Sequence, residues 1–141
     1  MQHMTDAQFR TFLLHGTRTG KLATVRADGR PHIVPIWFLL DGDIVVFNTG
    51  EGSVKARNMR RDPRVSLSVD DERPPFAFVL IEGTVEFVDE HDALRLWATR
   101  IAARYMGAEQ AGAYGERNSA PGELLVRLTP NRIIAQKDLS E

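Results

Sequence analysis

Two Asp-Gly pairs, Asp28-Gly29 and Asp41-Gly42, separate three apolar runs in the first part of the chain. Both central residues of a tight type I′ hairpin turn need positive φ, which Asp-Gly supplies at low cost. Residues 21–27, 32–40 and 43–49 are therefore predicted to form an antiparallel meander of three strands. A sheet that begins with hairpins of this kind is built by antiparallel pairing, whereas a parallel sheet needs long crossover connections.

The rest of the chain adds strands and a few helices. Alternation around Leu67 predicts a fourth strand, and residues 76–88 predict a long fifth strand with Gly83 at a bulge or close approach. Residues 122–128 and 132–137 are predicted to be the last two strands. Three helices are expected: one after a Thr5/Gln8 capping box, one over 54–60 capped by Ser53, and one over 90–106 capped by Asp89. Residues 107–120 are predicted to form a loop.

These elements predict a mainly β protein with inserted helices. No interdomain linker or internal repeat interrupts residues 1–141, so we expect one domain. Six or seven strands joined mostly by tight turns are typical of a small antiparallel barrel with helices at its ends.

The composition argues against several classes of function. The net charge of −1 provides no overall attraction to nucleic acid or to an anionic membrane. The absence of cysteine excludes disulfides, thiolate metal sites and a cysteine nucleophile. No two of the four histidines are four residues apart, and we predict no metal site. No run approaches the ~20 apolar residues of a membrane span. Nor does the N-terminal segment resemble a signal peptide, so a cytoplasmic location is expected.

Residues 48–58 carry the clearest chemical pattern. A strand ends, a glycine-containing loop follows, and Ser53 begins a basic helix that contains Lys55 and Arg57. Free N–H groups at a helix start carry partial positive charge and suit a phosphate. The Ser53 hydroxyl and the Lys55 ammonium would add donors, and Thr49 can reach the same oxygens from the strand end. The same pattern would also suit a surface loop followed by a capped, solvated helix.

A second candidate is the segment 31–38, which contains Pro35 and Trp37. Proline lacks an N–H for a sheet ladder, so its strand is expected at an edge or a bulge. Apolar residues with proline and tryptophan suit the face of a planar ring, although packing within a core or an interface would use the same residues.

Taken together, these stretches resemble the flavin-binding split β-barrel superfamily that includes pyridoxamine 5′-phosphate oxidase. The resemblance rests on residues 22–31, 34–38, 53–65 and 81–85. It is closest to the deazaflavin-dependent branch, whose members use coenzyme F420, because the run Ser-x-Lys-Ala-Arg-Asn followed by Arg-Asp-Pro-Arg-Val is typical there.

The resemblance implies a fold, a cofactor and a set of binding residues. The fold is a six- or seven-stranded antiparallel split β-barrel, and the assembly is a homodimer with cofactor sites in clefts between the subunits. In relatives, the equivalents of Ser53, Lys55 and nearby strand-end residues bind the cofactor phosphate. The strand equivalent to residues 34–37 lies against the ring. The implied cofactor-binding residues are Asn48, Thr49, Ser53, Lys55 and Arg57 at the phosphate, Val34, Pro35, Ile36 and Trp37 at the ring, and Arg30 at a polar tail.

The implied function is a reductase that moves hydride between F420 and a small unsaturated or conjugated organic substrate. The ring performs this chemistry while the protein binds and orients it, and no side chain stands out as a catalytic acid or base. Two alternatives stay open: an FMN-dependent oxidoreductase of the same fold, and a non-enzymatic protein that binds a cofactor, haem or another flat ligand.

Overall fold

In the computed structural model, which describes residues 1–141, one antiparallel sheet contains all eight strands. Four helices accompany it. The elements, in chain order, are β1 Gln2–His3, α1 Asp6–Leu14, β2 Gly20–Val25, β3 Pro31–Ile36, β4 Leu39–Asp41, β5 Ile44–Gly50, α2 Val54–Arg61, β6 Arg64–Asp71, β7 Ala77–Val88, α3 His91–Met106, α4 Ala108–Arg117 and β8 Glu123–Lys137. The strand order is β3-β2-β6-β7-β8-β5-β4, with β1 paired to β8.

The sheet is rolled without closing. Strands β3 and β4 are the two ends of the sheet and do not pair with each other, yet only Trp37 and Phe38 separate them along the chain. Three peptide steps span at most about 11 Å, so the two edges must approach one another at this crossing. The predicted split β-barrel architecture is therefore confirmed. Pro35 lies in edge strand β3, as its missing N–H predicts.

The barrel interior is apolar and is sealed by two helices. Leu22, Leu67 and Val79 come from neighbouring strands and are fully buried. Helix α2 contributes Met59 to the same cluster, and α1 contributes Leu13. Both helix starts follow the predicted chemistry, since Thr5 and Gln8 form the capping box and Ser53 caps α2. None of the four helices is long and apolar enough to span a bilayer.

Gly83 marks a close approach between β7 and β8. The register shifts between Glu82 and Gly83, which confirms the predicted bulge. A Cβ atom at Gly83 would lie 2.2 Å from the backbone oxygen of Thr129, so any larger residue would force the two strands apart.

Four details of the prediction were wrong. The segment 32–40 is not one strand, because the chain leaves β2 after Ile36 and pairs with β5 from Leu39. Residues 122–128 and 132–137 are parts of one strand, β8, which continues through Pro130 by means of the bulge. With the added strand β1, the total is eight rather than six or seven.

The other two errors concern helices. Residues 108–117 form α4 rather than a loop, and this helix packs against α3. Glu90 rather than Asp89 is the cap residue of α3, and its side chain makes no capping hydrogen bond.

Candidate functional site

Ser53 connects the end of β5 to the first turn of α2. Its Oγ accepts a hydrogen bond from the Ala56 amide at 3.1 Å and lies 3.1 Å from Thr49 Oγ1. Thr49 is buried at the end of β5, so the two hydroxyls are held by both the sheet and the helix. Only one of the two hydroxyl hydrogens is needed for their mutual bond, which leaves the other free for a ligand.

The first turn of α2 leaves two further donors. Ala56 is bonded to Ser53 Oγ, and Arg57 donates to the Ser53 carbonyl, but the amides of Val54 and Lys55 have no acceptor in the chain. These amides lie at the positive end of the helix dipole. Donors of this kind at a helix start favour an anionic oxygen.

Lys55 adds a full positive charge beside these amides. It is partly buried and forms none of the chain's eight salt bridges, so no carboxylate oxygen lies within 4.0 Å of its ammonium. Burial lowers the pKa of Lys55 below its usual value, and the negative charge of Glu123 opposes that shift only in part. A partly dehydrated cation without a partner has the electrostatics of an anion-binding site.

Two more predicted residues flank this turn. Asn48, on β5, donates from its side-chain nitrogen to the Asn118 carbonyl at 3.1 Å, which ties the strand to the end of α4. Arg57 lies on α2 two residues after Lys55, is exposed and forms no salt bridge. Thr49 and Ser53 therefore lie together at this strand-to-helix connection, with Lys55 in the first turn of α2. The Asn48 side chain points to the opposite face of β5 from Thr49, and Arg57 lies about half a turn around α2 from Lys55.

Strand β3 presents its predicted residues on two faces and one open edge. Ile36 faces the core and is 6% exposed, whereas Pro35 points outward and is exposed. Val34, opposite Leu22, is partly buried. Backbone groups on the side away from β2 have no strand partner, which leaves an edge for a flat ligand with its own donors and acceptors.

Trp37 and Arg30 lie beyond the two ends of β3, and each already has a partner. The Trp37 indole stacks on the Tyr105 ring, with centroids 5.1 Å apart and planes 3° from parallel. Arg30 donates from Nε to Asp28 at 2.8 Å within the hairpin turn, and its side chain is exposed. Both roles that the resemblance implies for these residues stay predictions.

Two buried nitrogen atoms near α2 lack any hydrogen-bond partner: Arg26 Nε and His32 Nδ1. His32 is paired with Thr24 across the β2–β3 hairpin, and Thr24 Oγ1 accepts from Asn58 of α2 at 3.0 Å. An arginine Nε–H is always a donor, so its burial without an acceptor is costly unless a ligand or water supplies an oxygen. A phosphate oxygen would supply the acceptor that the Arg26 Nε–H lacks, once that side chain turns toward it.

The sequence reasoning missed these two residues. Alternation along β2 and β3 was the available signal, because it places Thr24, Arg26 and His32 on one face of the hairpin. Their distance along the chain from Lys55 concealed the connection through Asn58.

On its other side, the connection borders a cleft of about 590 Å³. We call it the acidic cleft, because its lining includes the carboxylates Glu51, Asp89, Glu90 and Glu123. Arg60 is the only arginine or lysine of the lining, and Lys55 is not part of it. An anion would be repelled there, so a phosphate is expected outside this cleft. No three ligand-type side chains of the chain are grouped to hold a metal ion.

Comparison with known sequences identifies one family over nearly the whole chain. The family model described as pyridoxamine 5′-phosphate oxidase matches residues 5–137. A 5a,11a-dehydrotetracycline/5a,11a-dehydrooxytetracycline reductase from Streptomyces rimosus is 41% identical over 75 residues. That match covers 48% of this chain and spans about half of the relative, 53% of its length.

Solved structures agree with this result. The conserved hypothetical protein Rv2991 from Mycobacterium tuberculosis superimposes with a TM-score of 0.85 at 30% identity, covering 98% of this chain and 89% of the other. A structure named F420 reductase superimposes with a TM-score of 0.69 at 27% identity, covering 87% and 94% of the two chains.

Proposed function

Because the chain belongs to the pyridoxamine 5′-phosphate oxidase family of oxidoreductases, we propose that it is an F420-dependent reductase acting on a small unsaturated or conjugated organic substrate. The observation that carries the proposal is the partly buried, unpaired Lys55 at the start of α2. A partly buried cation that has no carboxylate partner lowers the stability of the folded protein, and a bound cofactor phosphate would offset that loss.

The residues around Lys55 bind the phosphate in this proposal. The amides of Val54 and Lys55 and the hydroxyls of Thr49 and Ser53 donate to its oxygens, and the Lys55 ammonium neutralises its charge. On the hairpin side, the Arg26 Nε–H is a further donor without an acceptor, which the phosphate would reach once that side chain turns outward. The amides and the two hydroxyls are fixed by the fold before binding, so the ordering entropy lost when the ligand arrives is mainly that of the Lys55 side chain.

Strand β3 positions the ring. Val34 on one face and Pro35 on the other are apolar side chains beside the open strand edge, whose unpaired backbone groups match the polar rim of a deazaflavin. When bound, the deazaflavin supplies the hydride, and the chain contributes orientation and exclusion of water rather than an acid or a base. Similarity to the structure named F420 reductase favours F420 over FMN as the cofactor. Similarity to the dehydrotetracycline reductase favours an unsaturated ring compound as the substrate.

The proposal is tested by titrating the purified protein with F420 and, separately, with FMN. We expect saturable F420 binding with a Kd on the order of micromolar and at least ~10-fold weaker FMN binding. Hydride transfer is then followed as oxidation of reduced F420 in the presence of cyclic enones. Tighter binding of FMN than of F420 would identify FMN as the cofactor instead, and failure to bind either cofactor would overturn the proposal.

The proposed assembly is a homodimer that covers the outer face of β3. Ile33 is 63% exposed on this face, next to the exposed Pro31 and Pro35, and an apolar edge strand of this kind is normally covered. We expect light scattering to give twice the chain mass, and Ile33→Asp to give a monomer. Leu96→Asp, a change at an exposed leucine of α3, is the matched control and should stay dimeric. An unaltered protein of single-chain mass would refute the dimer.

A further inference from the structure

A pocket of about 360 Å³ lies between α1 and the β6–β7 connection, and none of the cofactor-site residues lines it. We call it the α1 pocket. Its walls include Phe12 of α1, Phe76 of the connection, and Lys137 at the end of β8. The volume is at the lower end of the range for small-molecule sites and suits a single small ring.

The charges around the α1 pocket favour an anion. The Asp71 carboxylate forms ion pairs with Arg18 and with Arg73, each at 3.1 Å, so one negative charge is shared by two guanidinium groups. Hydrogen bonds from Arg73 hold the pKa of the Asp71 carboxyl below its usual range, so it is ionised at neutral pH. Lys137 adds a third cation and has no carboxylate within 4.0 Å, while Asp138 is the only other acidic residue of the lining. Cations therefore outnumber carboxylates.

The aromatic walls are held in place by the backbone. Phe76 adopts φ 62°, a left-handed conformation that is costly for a residue with a large side chain, and the residue remains 39% exposed. Three bonds fix this turn: Phe76 N–H donates to the Arg73 carbonyl, and the amides of Leu139 and Ser140 donate to the carbonyls of Phe76 and Pro75. On the facing wall, the Arg18 guanidinium lies 4.2 Å from the centre of the Phe12 ring.

We propose that the α1 pocket is a second binding site, separate from the cofactor site, for a small aromatic carboxylate. The ring of such a ligand packs against Phe12 and Phe76, and its carboxylate accepts hydrogen bonds from Arg73 and Lys137. The guanidinium of Arg73 is largely exposed and keeps free N–H groups after its contact with Asp71. A neutral ring leaves these cations without a partner, and a carboxylate without an aromatic ring leaves Phe76 exposed to water.

The test titrates benzoate, 1-naphthoate and the neutral isostere benzamide into the cofactor-free, ¹⁵N-labelled protein. We expect one of the two acids to cause saturable shifts at the amides of Phe12, Phe76 and Lys137. Benzamide should bind about 10-fold more weakly, because it cannot form a charge-assisted bond. Arg73→Gln combined with Lys137→Gln should weaken the acid by at least ~10-fold, whereas Arg95→Gln, an exposed arginine of α3, should not.

A second variant separates the aromatic wall from the charges. Phe76→Asn keeps a residue that tolerates the left-handed conformation but removes the ring, and it should abolish the preference of the unaltered protein for benzoate over acetate, titrated in the same way. Thermal unfolding of each variant verifies that the fold is retained. Equal affinity for benzoate and benzamide, shifts that map to the acidic cleft, or no saturable shift with either acid would overturn the proposal. F420 binding is unaffected by any of these outcomes, so the two proposals fail independently.

Discussion

Replacing Lys55 with methionine is expected to weaken F420 binding by about 30- to 100-fold, the loss of one charge-assisted contact to phosphate. Methionine is similar in length and retains the packing of the aliphatic stem, so the change removes mainly the charge. The same variant should unfold at a higher temperature when no cofactor is present. Burial lowers the Lys55 pKa, which means that the folded state disfavours the charged form, and removing that charge relieves the penalty.

The opposite signs of these two effects make the experiment discriminating. A lysine with only a structural role would lose stability on replacement, and a lysine in bulk solvent would change neither quantity. Arg60→Met is the matched control, because Arg60 belongs to the same helix but borders the acidic cleft and lies over the Phe87 ring. We expect it to change the Kd for F420 less than about threefold. Undiminished F420 affinity in Lys55→Met would show that Lys55 is not the anchor of the phosphate.

Local chemistry made part of the site predictable from the sequence. Ser53 caps α2 because its short hydroxyl side chain reaches the amide of Ala56, and this depends only on residues within one turn. The edge position of Pro35 likewise follows from its missing N–H. Contacts that cross the barrel carry no local signal. The hairpin that carries Arg26 and His32 is joined to α2 by bonds from Asn58 to Thr24, 34 residues away, and from Arg61 to the Val25 carbonyl, 36 residues away.

Helix α4 shows a different reason for failure. Glycines at 112 and 115 made residues 107–120 resemble a loop, since glycine is unfavourable inside a helix. In the structure, a Cβ atom at Gly115 would lie 2.1 Å from Thr99 Oγ1 of α3. The close approach of α3 and α4 therefore requires glycine at this position. Tertiary packing stabilises α4 even though glycine has a low helix propensity. Trp37, stacked on Tyr105 and near Tyr114, covers the same helix pair from the barrel side.

Arg104 is expected to be the most costly single side chain to remove from the helical layer, and Arg104→Ala should lower the free energy of unfolding by about 3 kcal/mol. Its guanidinium donates to three carbonyls from separate parts of the chain: Gly16 at 2.9 Å, Phe38 at 2.7 Å and Leu13 at 2.7 Å. No carboxylate pairs with it, and burial lowers its pKa. Without Arg104, these carbonyls at the end of α1 and at the β3–β4 crossing lose their charged donor.

Urea denaturation of Arg104→Ala and of Arg100→Ala compares the free energy of unfolding lost at two arginines of the same helix, α3. Arg100 is exposed, forms no side-chain hydrogen bond or salt bridge, and lies 5.1 Å from the centre of the Trp97 ring, so its removal should cost less than about 1 kcal/mol. Arg104→Lys should recover little, because a single ammonium cannot reach three carbonyls in three directions. Since Phe38 follows Trp37 just beyond β3, the strand proposed to bind the ring, both Arg104 variants should also weaken F420 binding while Arg100→Ala does not. Equal stability of the two alanine variants would mean that the β3–β4 crossing is held by Tyr105 and apolar packing alone.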